Sequence, residues 1–583
     1  MLSLAIVLVG VAIVIVGVLV FRLHAFLALI LAAIVVGALT PPQTIERYES
    51  RKRAVRILEV LDEDSQNVQL RLALTRKSGA RPGMRYLVQR VDAETGELVT
   101  IALAEIEGFE QFAPDGRAER ETASARALSM GVEGGNFDNG DVESPQRSPA
   151  PPPRIQLDDI VIHPLASQAA RAESQETVGE RVASAFGRTC ASIGILIAMA
   201  AIIGKCLLDS GAADRIVRFA MRIFGEPGAP LAFLSSGFLL GIPVFFDTVF
   251  YLMIPLGKAL RLRTGRHYLL YVLTIVAGAT MAHSLVPPTP GPLFVAGQLG
   301  VNLGVMILAG CTVGLFSASA GYLFAVLANR RYDLPLRETP DFSLSELAAL
   351  SQRETRELPP LWLSLMPIVL PVVLIAASTV IDSFDVTLPA AAKSAVDVLG
   401  NKNIALMLAA AIALAMLVRQ KRSSLKELSS SIQAALASGG VIILITAGGG
   451  AFGGALQQTS VAELIEKLPQ GASLLLIVIA FLVTAAVRTA QGSATVAMIT
   501  AVGILSGLAD SGQLGFDPVY LALAIGCGSK PIAWMNDSGF WVICKMSGMT
   551  EAEGLRFISP MSVVMGVVGL IVTLIGASLF PLV

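Results

Sequence analysis

Histidine and cysteine are scarce in this sequence of 583 residues, which contains four histidines and five cysteines. The histidines are scattered and build no metal site, so we expect neither a metal nor another cofactor. All five cysteines fall in apolar segments, where a small buried hydrophobic residue is expected rather than a disulfide partner or a metal ligand. The sequence also lacks a recognisable nucleophile–base pair, so we do not expect an enzyme.

Charged residues are also few: they make up 15% of the chain, whereas hydrophobic residues make up 54%. Residues 41–180 hold 41 of the 89 charged side chains. This distribution, with a mean hydropathy of +0.67, is typical of a polytopic membrane protein interrupted by one polar insert. The net charge of −1 gives no indication of nucleic-acid binding, and we expect no nucleic-acid partner.

Long apolar runs fill the rest of the chain. The first twenty residues lack a positively charged start and a cleavage site, so they predict a retained transmembrane helix rather than a signal peptide. Uninterrupted runs long enough to approach a membrane span lie near 2–20, 25–40, 190–208, 305–328, 361–381, 403–418, 435–456 and 557–581. Four further runs are longer or interrupted, at 229–258, 268–304, 471–508 and 518–545.

An internal repeat accounts for the four interrupted runs. Residues 435–548 can be laid over residues 190–304, so that GIPVFFDTVFYLMI faces VRTAQGSATVAMI and HSLVPPTPGPLF faces SKPIAWMNDSGF. Two copies of one unit are typical of secondary transporters, whose substrate lies mid-membrane where the repeats meet. We predict an all-α polytopic membrane protein with two inverted repeats, about ten transmembrane helices, two re-entrant hairpins, two unwound helices and a small β-rich soluble insert.

Proline and glycine mark where the interrupted segments should break. Proline removes a backbone donor, and irregular backbone at membrane depth is tolerated only where it lines a cavity. The alternative for HSLVPPTPGPLF is a proline-rich loop outside the membrane. The predicted helix breaks are Gly241, Pro243, Pro287, Pro288, Pro290, Pro292, Gly492 and Pro531.

The distribution of basic residues predicts the topology. If 229–258 and 471–508 each enter and leave on one side, one set of short connections holds 19 basic residues and the other only Lys393, Lys402 and Lys467. The positive-inside rule makes the first set cytoplasmic and places both termini outside. The polar insert then lies outside too, although its first residues, ERYESRKRAVR, are basic.

Six regions follow from these patterns. Within the polar insert, VQLRLALT alternates strictly, and ILEVL, MRYLVQRV and ELVTIALAEI are further strand candidates, which favours a small β-barrel near 54–113. GVEGGNFDNGD and SPQRSPAPPPR are typical of a flexible linker. The regions are two transmembrane helices (1–45), the soluble β-rich insert (46–113), the linker (114–178), the first repeat (179–335), a cytoplasmic connection (336–360) and the second inverted repeat (361–583).

Several stretches together resemble the gluconate permease family, namely HAFLALILAAIVVG, LLDSGAADRI, GIPVFFDTVFYLMIPL, AHSLVPPTPGPLFVAGQLG, RTAQGSATVAM and NDSGFW. The resemblance implies a proton symporter for gluconate or a related small hydroxy acid in the bacterial inner membrane, within the wider ion-transporter superfamily. The insert at 46–178 is not covered by this resemblance. Asp247, where the family pattern often has glutamate, and SKPIAWM before NDSGFW also depart from the pattern.

Ionisable residues within the apolar runs are the leading site candidates, because a charge at membrane depth costs on the order of 3 kcal/mol on insertion scales. Arg488 could hold a substrate carboxylate by a forked contact, or form a structural ion pair with Asp247 or Asp537. These two aspartates are candidate proton carriers, or else permanent partners of Arg488 or Lys530. His283 is a candidate relay or a packing histidine. Candidate substrate-binding polar side chains are Gln491, Ser493, Thr495, Thr289, Asn536 and Ser538.

Three functions fit these observations. We predict a proton-coupled symporter of a small carboxylate that is embedded in the lipid bilayer. A sodium-coupled carrier of the same architecture is the first alternative, since unwound carbonyl groups and Asn536 could coordinate Na⁺. A membrane sensor that signals through the insert is the second. A homodimer is compatible with the sequence, which determines neither the oligomeric state nor the exact substrate.

Overall fold

The chain is described from a computed structural model, which covers residues 2–21, 23–62, 68–75, 78–92, 95–112, 120–129, 155–157, 159–337, 358–383, 389–421, 425–459, 473–509, 514–535 and 537–582. The chain folds into two compact units. The smaller consists of residues 1–7, 34–181 and 455–461, and the larger of residues 8–33, 182–454 and 462–583. Most of the predicted connection 336–360 lies outside the described residues.

A six-stranded antiparallel sheet forms the centre of the smaller unit. Its strands are β1 Ile57–Asp62, β2 Val68–Leu72, β3 Arg85–Val91, β4 Leu98–Phe112, β5 Arg120–Ser129 and β6 Ile160–Ile162, in the order β1-β2-β5-β4-β3-β6. An antiparallel bridge joins Val55, just before β1, to Val161 in β6. The two ends of the strand order therefore meet, and the sheet curls into a partial barrel.

Side-chain alternation explains this sheet. In β2, Val68, Leu70 and Leu72 are buried and Gln69 is exposed, as a period of two residues requires. The predicted linker over 114–178 is wrong where the structure describes it, because β5 lies between β2 and β4 in the sheet. Its inward residues are alanines, which give a weak hydrophobic signal. Residues 130–154, which include GVEGGNFDNGD, lie outside the described residues.

Two helices accompany the sheet. Helix α3 spans Pro42–Arg53 and α4 spans Pro164–Gln175. They pack against each other, and Arg53 bonds the carboxylates of Glu49 at 2.6 Å and Glu173 at 2.5 Å. Because Glu49 and Glu173 lie on different helices, Arg53 fixes α3 against α4.

The remaining helices belong mostly to the larger unit. The first eight are α1 Leu2–Leu19, α2 Ala25–Leu39, α5 Val178–Asp209, α6 Ala212–Phe224, α7 Ala229–Gly241, α8 Phe246–Thr264, α9 Tyr268–Leu285 and α10 Pro290–Gln298. The next five are α11 Leu303–Arg331, α12 Leu361–Ser383, α13 Ala390–Leu399, α14 Lys402–Lys421 and α15 Leu425–Gln457. The last five are α16 Ser473–Gln491, α17 Ala494–Ala509, α18 Pro518–Gly528, α19 Ser538–Ser547 and α20 Glu551–Leu579.

Seven helical segments in the described part of the chain are long and apolar enough to span a membrane. They are α5, α9 together with α10, α11, α12, α14, α15 and α20. Helices α2 and α3 would add an eighth across a bend of 103°. The prediction of about ten crossings, and the inverted relation of the repeats, stay predictions.

Four interruptions fall in the regions where the two predicted repeats break. They separate α7 from α8, α9 from α10, α16 from α17, and α18 from α19. Helix α7 packs on α9, as α16 packs on α18, while α10 packs on α17 and α19 packs on α8. In each half, the helix that follows the interrupted crossing, α10 or α19, packs on the second helix of the hairpin in the other half, α17 or α8. The four interruptions therefore lie close together.

Helix α9 lies at the centre of this arrangement. It is apolar on all sides and buried along almost its whole length, as expected of an interior helix. Glycine permits its close approach to α7: a Cβ atom added at Gly278 would lie 2.2 Å from the carbonyl oxygen of Leu234. The packing of α9 thus fixes the place of the interruption that follows it.

Candidate functional site

A cavity of about 460 Å³ lies in the larger unit where the interruptions meet. Its volume is within the range of ~300–1,000 Å³ that is usual for small-molecule sites. Its walls come from α8, α9, α10, α15, α16, α17, α19 and α20 and from the segments between the broken helices. The polar and charged lining residues are Asp247, Thr248, Thr280, His283, Ser438, Thr446, Arg488, Ser493, Thr495, Ser529, Lys530, Asp537, Ser538 and Ser562.

Four helices begin at this cavity. Phe246 of α8, Pro290 of α10, Ala494 of α17 and Ser538 of α19 are the first residues of their helices, and all four line the cavity. The N–H groups of a helix's first turn have no intrahelical acceptor and carry partial positive charge. These ends contribute partial positive charge to the cavity, while Asp247 and Asp537 lie at two of them and Pro290 and Pro292 donate no N–H at a third.

The prolines of HSLVPPTPGPL occupy two kinds of position, an interruption between helices and the first turn of a helix. Pro287 and Pro288, joined by a cis peptide bond, lie between α9 and α10. Pro290 and Pro292 were predicted as breaks, but they are the first and third residues of α10. Proline is tolerated in a first turn because the N–H it lacks would have no helical acceptor there. The unwound segment is therefore shorter than the proline pattern predicts.

The other predicted breaks lie at or beside helix ends. Gly241 ends α7 and Pro243 follows it in the connection to α8. Gly492, at a φ of 80°, separates α16 from α17. A left-handed residue at this position favours glycine. Pro531 lies between α18 and α19.

Arg488 is tied to the protein backbone and to Asp537. It is 4% exposed. Its Nη1 donates to the carbonyl oxygen of Gly492, its Nε to that of Ser529 at 3.0 Å, and its Nη2 to the Asp537 carboxylate. Of the two roles considered for Arg488, the structural ion pair is the arrangement found here. The guanidinium connects the α16–α17 turn to both ends of the α18–α19 interruption.

The two aspartates differ in their surroundings. Asp537 caps α19, where its Oδ1 accepts from the Gly539 N–H at 2.8 Å while its Oδ2 accepts from Arg488. Asp247 lies in the first turn of α8 and lines the cavity. It forms no ion pair with another residue that the structure describes. Protonation of Asp537 would remove the negative charge that pairs with Arg488, whereas Asp247 has no described ion pair to lose.

Lys530 is a charged cavity residue that the predicted substrate-binding set does not include. It lies in the α18–α19 interruption, is 7% exposed and lines the cavity. Its Nζ donates to the carbonyl oxygen of Thr280 on α9 at 3.1 Å. The sequence could have indicated Lys530 as a site residue because it lies inside an apolar run. A lysine whose side chain extends to the membrane–water interface gives the same pattern.

His283 lines the cavity from α9. Its ring packs edge-on against Phe245, with the ring centroids 6.2 Å apart and the planes at 78°. Its Nδ1 is buried and has no hydrogen-bond partner among the described residues. His283 is thus placed at the cavity, with one ring nitrogen available.

The predicted polar ligands divide into two groups. Ser493, Thr495 and Ser538 line the cavity. Thr289 is buried away from it, and its hydroxyl donates to the Val286 carbonyl at 2.7 Å. Gln491 is also outside the lining, and its buried amide has no partner among the described residues.

Two further sequence predictions concern Asn536 and metal binding. Asn536 lies outside the described residues. Within the described ranges, no group of three histidine, cysteine or acidic side chains could hold a metal ion. Hydroxyl groups that the sequence did not single out, those of Thr248, Thr280, Ser438, Thr446, Ser529 and Ser562, add to the polar lining.

Comparison with known proteins places the chain in a family. The family described as GntP family permease matches residues 161–579. A gluconate permease of Pseudomonas aeruginosa is 34% identical over 67% of this chain and 85% of its own length. The Gnt-II system L-idonate transporter of Escherichia coli is 29% identical over 68% of this chain and 88% of its own length.

A solved structure resembles the fold. The Alcanivorax borkumensis YdaH transporter has a TM-score of 0.50 and 14% sequence identity, covering 69% of this chain and 88% of its own. The family match covers the residues that line the cavity, and the relatives are named permeases and transporters rather than enzymes. The chain therefore belongs to the GntP permease family and is a multi-pass membrane transport protein.

Proposed function

We propose that this chain carries gluconate or a closely related hydroxy monocarboxylate across the bacterial inner membrane, together with a proton. The observation that supports it best is the convergence of four helix N-termini on a cavity of about 460 Å³ that also holds Lys530. Helix N-termini and a cation are the groups that bind a carboxylate in transporters with broken helices.

The rest of the lining suits a polyol chain. Hydroxyl groups from Thr248, Ser438, Ser493 and Thr495 face the same space as the charged groups. Such groups both donate and accept hydrogen bonds, so they can match a row of substrate hydroxyls. The names of the relatives, which include a gluconate permease and an L-idonate transporter, agree with a sugar acid.

Asp247 is the proposed site of the coupled proton, with His283 as a candidate relay. The carboxyl of Asp247 faces the cavity and pairs with no described cation, so it can take up a proton without breaking an ion pair. Asp537 is a weaker candidate because both of its oxygens already accept hydrogen bonds.

Transport by purified protein in proteoliposomes tests the proposal. We expect labelled gluconate to accumulate when an inward proton gradient is imposed, and unlabelled sugar acids to compete. A sodium gradient at constant pH should drive no accumulation. Uptake that follows sodium instead would favour the alternative coupling ion, and failure to move any sugar acid in a folded preparation would overturn the substrate class.

A further inference from the structure

Lys530 is a basic residue of the cavity lining that forms no ion pair with a described carboxylate. The ammonium of Lys530 has the Thr280 carbonyl as its acceptor at 3.1 Å, and no described carboxylate lies within ion-pair distance of it. A buried charge without an opposite charge is costly. An anion bound in the cavity would supply that opposite charge.

Arg488 cannot readily supply the missing contact to a substrate. Three of its five N–H donors, one on each nitrogen, already serve Gly492, Ser529 and Asp537, and its charge is offset by the Asp537 carboxylate. A forked contact with a substrate carboxylate would compete with these bonds, which also hold the α16–α17 turn against the α18–α19 interruption. Lys530 needs no such exchange, because an ammonium has three donors and one is used by Thr280.

We propose that Lys530, and not Arg488, binds the substrate carboxylate, and that Arg488 is a positioning residue. This assignment rests on the proposed function, since it takes the transported species to be a carboxylate. The Thr280 carbonyl holds the Lys530 ammonium at the cavity wall, and the N-termini of α8, α10, α17 and α19 add their partial positive charge.

The charges of the cavity then limit the substrate. The facing titratable and charged groups are Asp247, His283, Arg488, Lys530 and Asp537. In net charge Arg488 and Asp537 cancel, and ionised Asp247 offsets Lys530 without forming an ion pair with it, with His283 counted as neutral. A bound monocarboxylate adds one negative charge, which one proton on Asp247 removes. A dicarboxylate would leave a second negative charge without a partner, so the site should favour monocarboxylates.

Binding of gluconate and gluconamide separates the two basic residues. The probes share a polyol chain and differ in the charge of the terminal group. For Lys530→Gln we expect gluconate affinity to fall about ten- to a hundredfold, as for a lost charged hydrogen bond, with gluconamide little affected. Lys530→Arg should keep the preference for gluconate. Arg488→Lys should weaken both probes to a similar degree, because it disturbs the shape of the site.

The outcomes distinguish this assignment from the proposed function. Each variant is first checked for a single sharp unfolding transition in detergent, and Lys530→Arg provides a second reading if Lys530→Gln does not fold. If wild type prefers gluconate and Lys530→Gln keeps that preference, the Lys530 assignment fails while the proposed function stands. If wild type binds neither probe, or does not prefer the charged one, both fail. Glucarate, with two carboxylates, should bind more weakly than gluconate, and tighter binding would contradict the charge argument.

Discussion

Arg488 at the end of α16 forms a partly buried ion pair with Asp537 at the start of α19, and the same Asp537 carboxylate caps α19 through the Gly539 N–H at 2.8 Å. One contact therefore joins the turn of one broken helix pair to the first turn of another. Since both turns line the cavity, the ion pair determines the position of the wall rather than the charge available to a ligand.

The first prediction concerns the stability of this contact. Asp537→Leu should be strongly destabilising, by about 3–5 kcal/mol, because it leaves the buried Arg488 charge without its partner. Arg488→Leu should cost less, because the Asp537 carboxylate that it leaves unpaired is only partly buried. The double variant should lose less than the sum of the two, since it leaves no unpaired charge. Unfolding in detergent gives the coupling between the two sites, and strictly additive losses would contradict a paired role.

The second prediction concerns coupling. Asp247→Asn mimics a protonated side chain, so it should still bind gluconate and exchange it across the membrane. It should not accumulate gluconate under a proton gradient, because coupling between substrate and proton is lost when the titrating group is removed. Counterflow measured beside proton-driven uptake separates these two activities.

A matched control accompanies that variant. Asp214 on α6 pairs with Arg218 at 2.9 Å and is not part of the cavity lining, so Asp214→Asn should leave exchange and accumulation unchanged. If Asp247→Asn still concentrates gluconate, Asp247 is not the proton carrier. The assignment would then pass to Asp537 or His283.

The third prediction concerns the packing that places the α9–α10 interruption. Gly278→Ala should destabilise the fold by about 1–3 kcal/mol or more, because overpacking forces helices apart and the new Cβ would meet the Leu234 carbonyl at 2.2 Å. Gly440→Ala is the control, since no atom lies within 4 Å of its added Cβ. The control should unfold at the same or a higher temperature, as alanine favours helix. Equal losses in the two variants would contradict the close approach of α7 and α9.

Patterns over long segments predicted the fold better than single residues predicted the site. The interruptions near Gly241 and Gly492 followed from comparing the two halves of the chain, and β2 followed from strict alternation. The linker prediction failed at β5 because Ala123, Ala125 and Ala127 bury little apolar surface and so resemble a polar segment. The prediction of a helix break at Pro290 was wrong, because proline is as favourable in the first turn of a helix as in a loop.

The roles of charged residues depend on partners that are distant in the sequence. Arg488 is followed by Gly492 within one turn, but its other contacts, Ser529 and Asp537, are supplied by α18 and α19 packing nearby. Lys530 meets Thr280, 250 positions away. No local pattern distinguishes an arginine that is paired within the protein from one that binds a substrate, so the sequence could name the charged groups without assigning them.

The last prediction concerns the insert. The N–H of Val55 donates to the carbonyl oxygen of Val161 at 2.7 Å, so the chain leaves the sheet next to where it entered. Replacing residues 56–160 with a short Gly/Ser linker should therefore keep α3 and α4 packed, because Arg53 retains Glu49 and Glu173. We expect this variant to take up gluconate at an unchanged rate, since none of the cavity-lining residues is removed. Deletion of 46–178 cuts into α3, removes α4 and should yield a less stable protein. Loss of uptake in the shorter deletion, with an unchanged unfolding temperature, would instead indicate that the sheet takes part in transport.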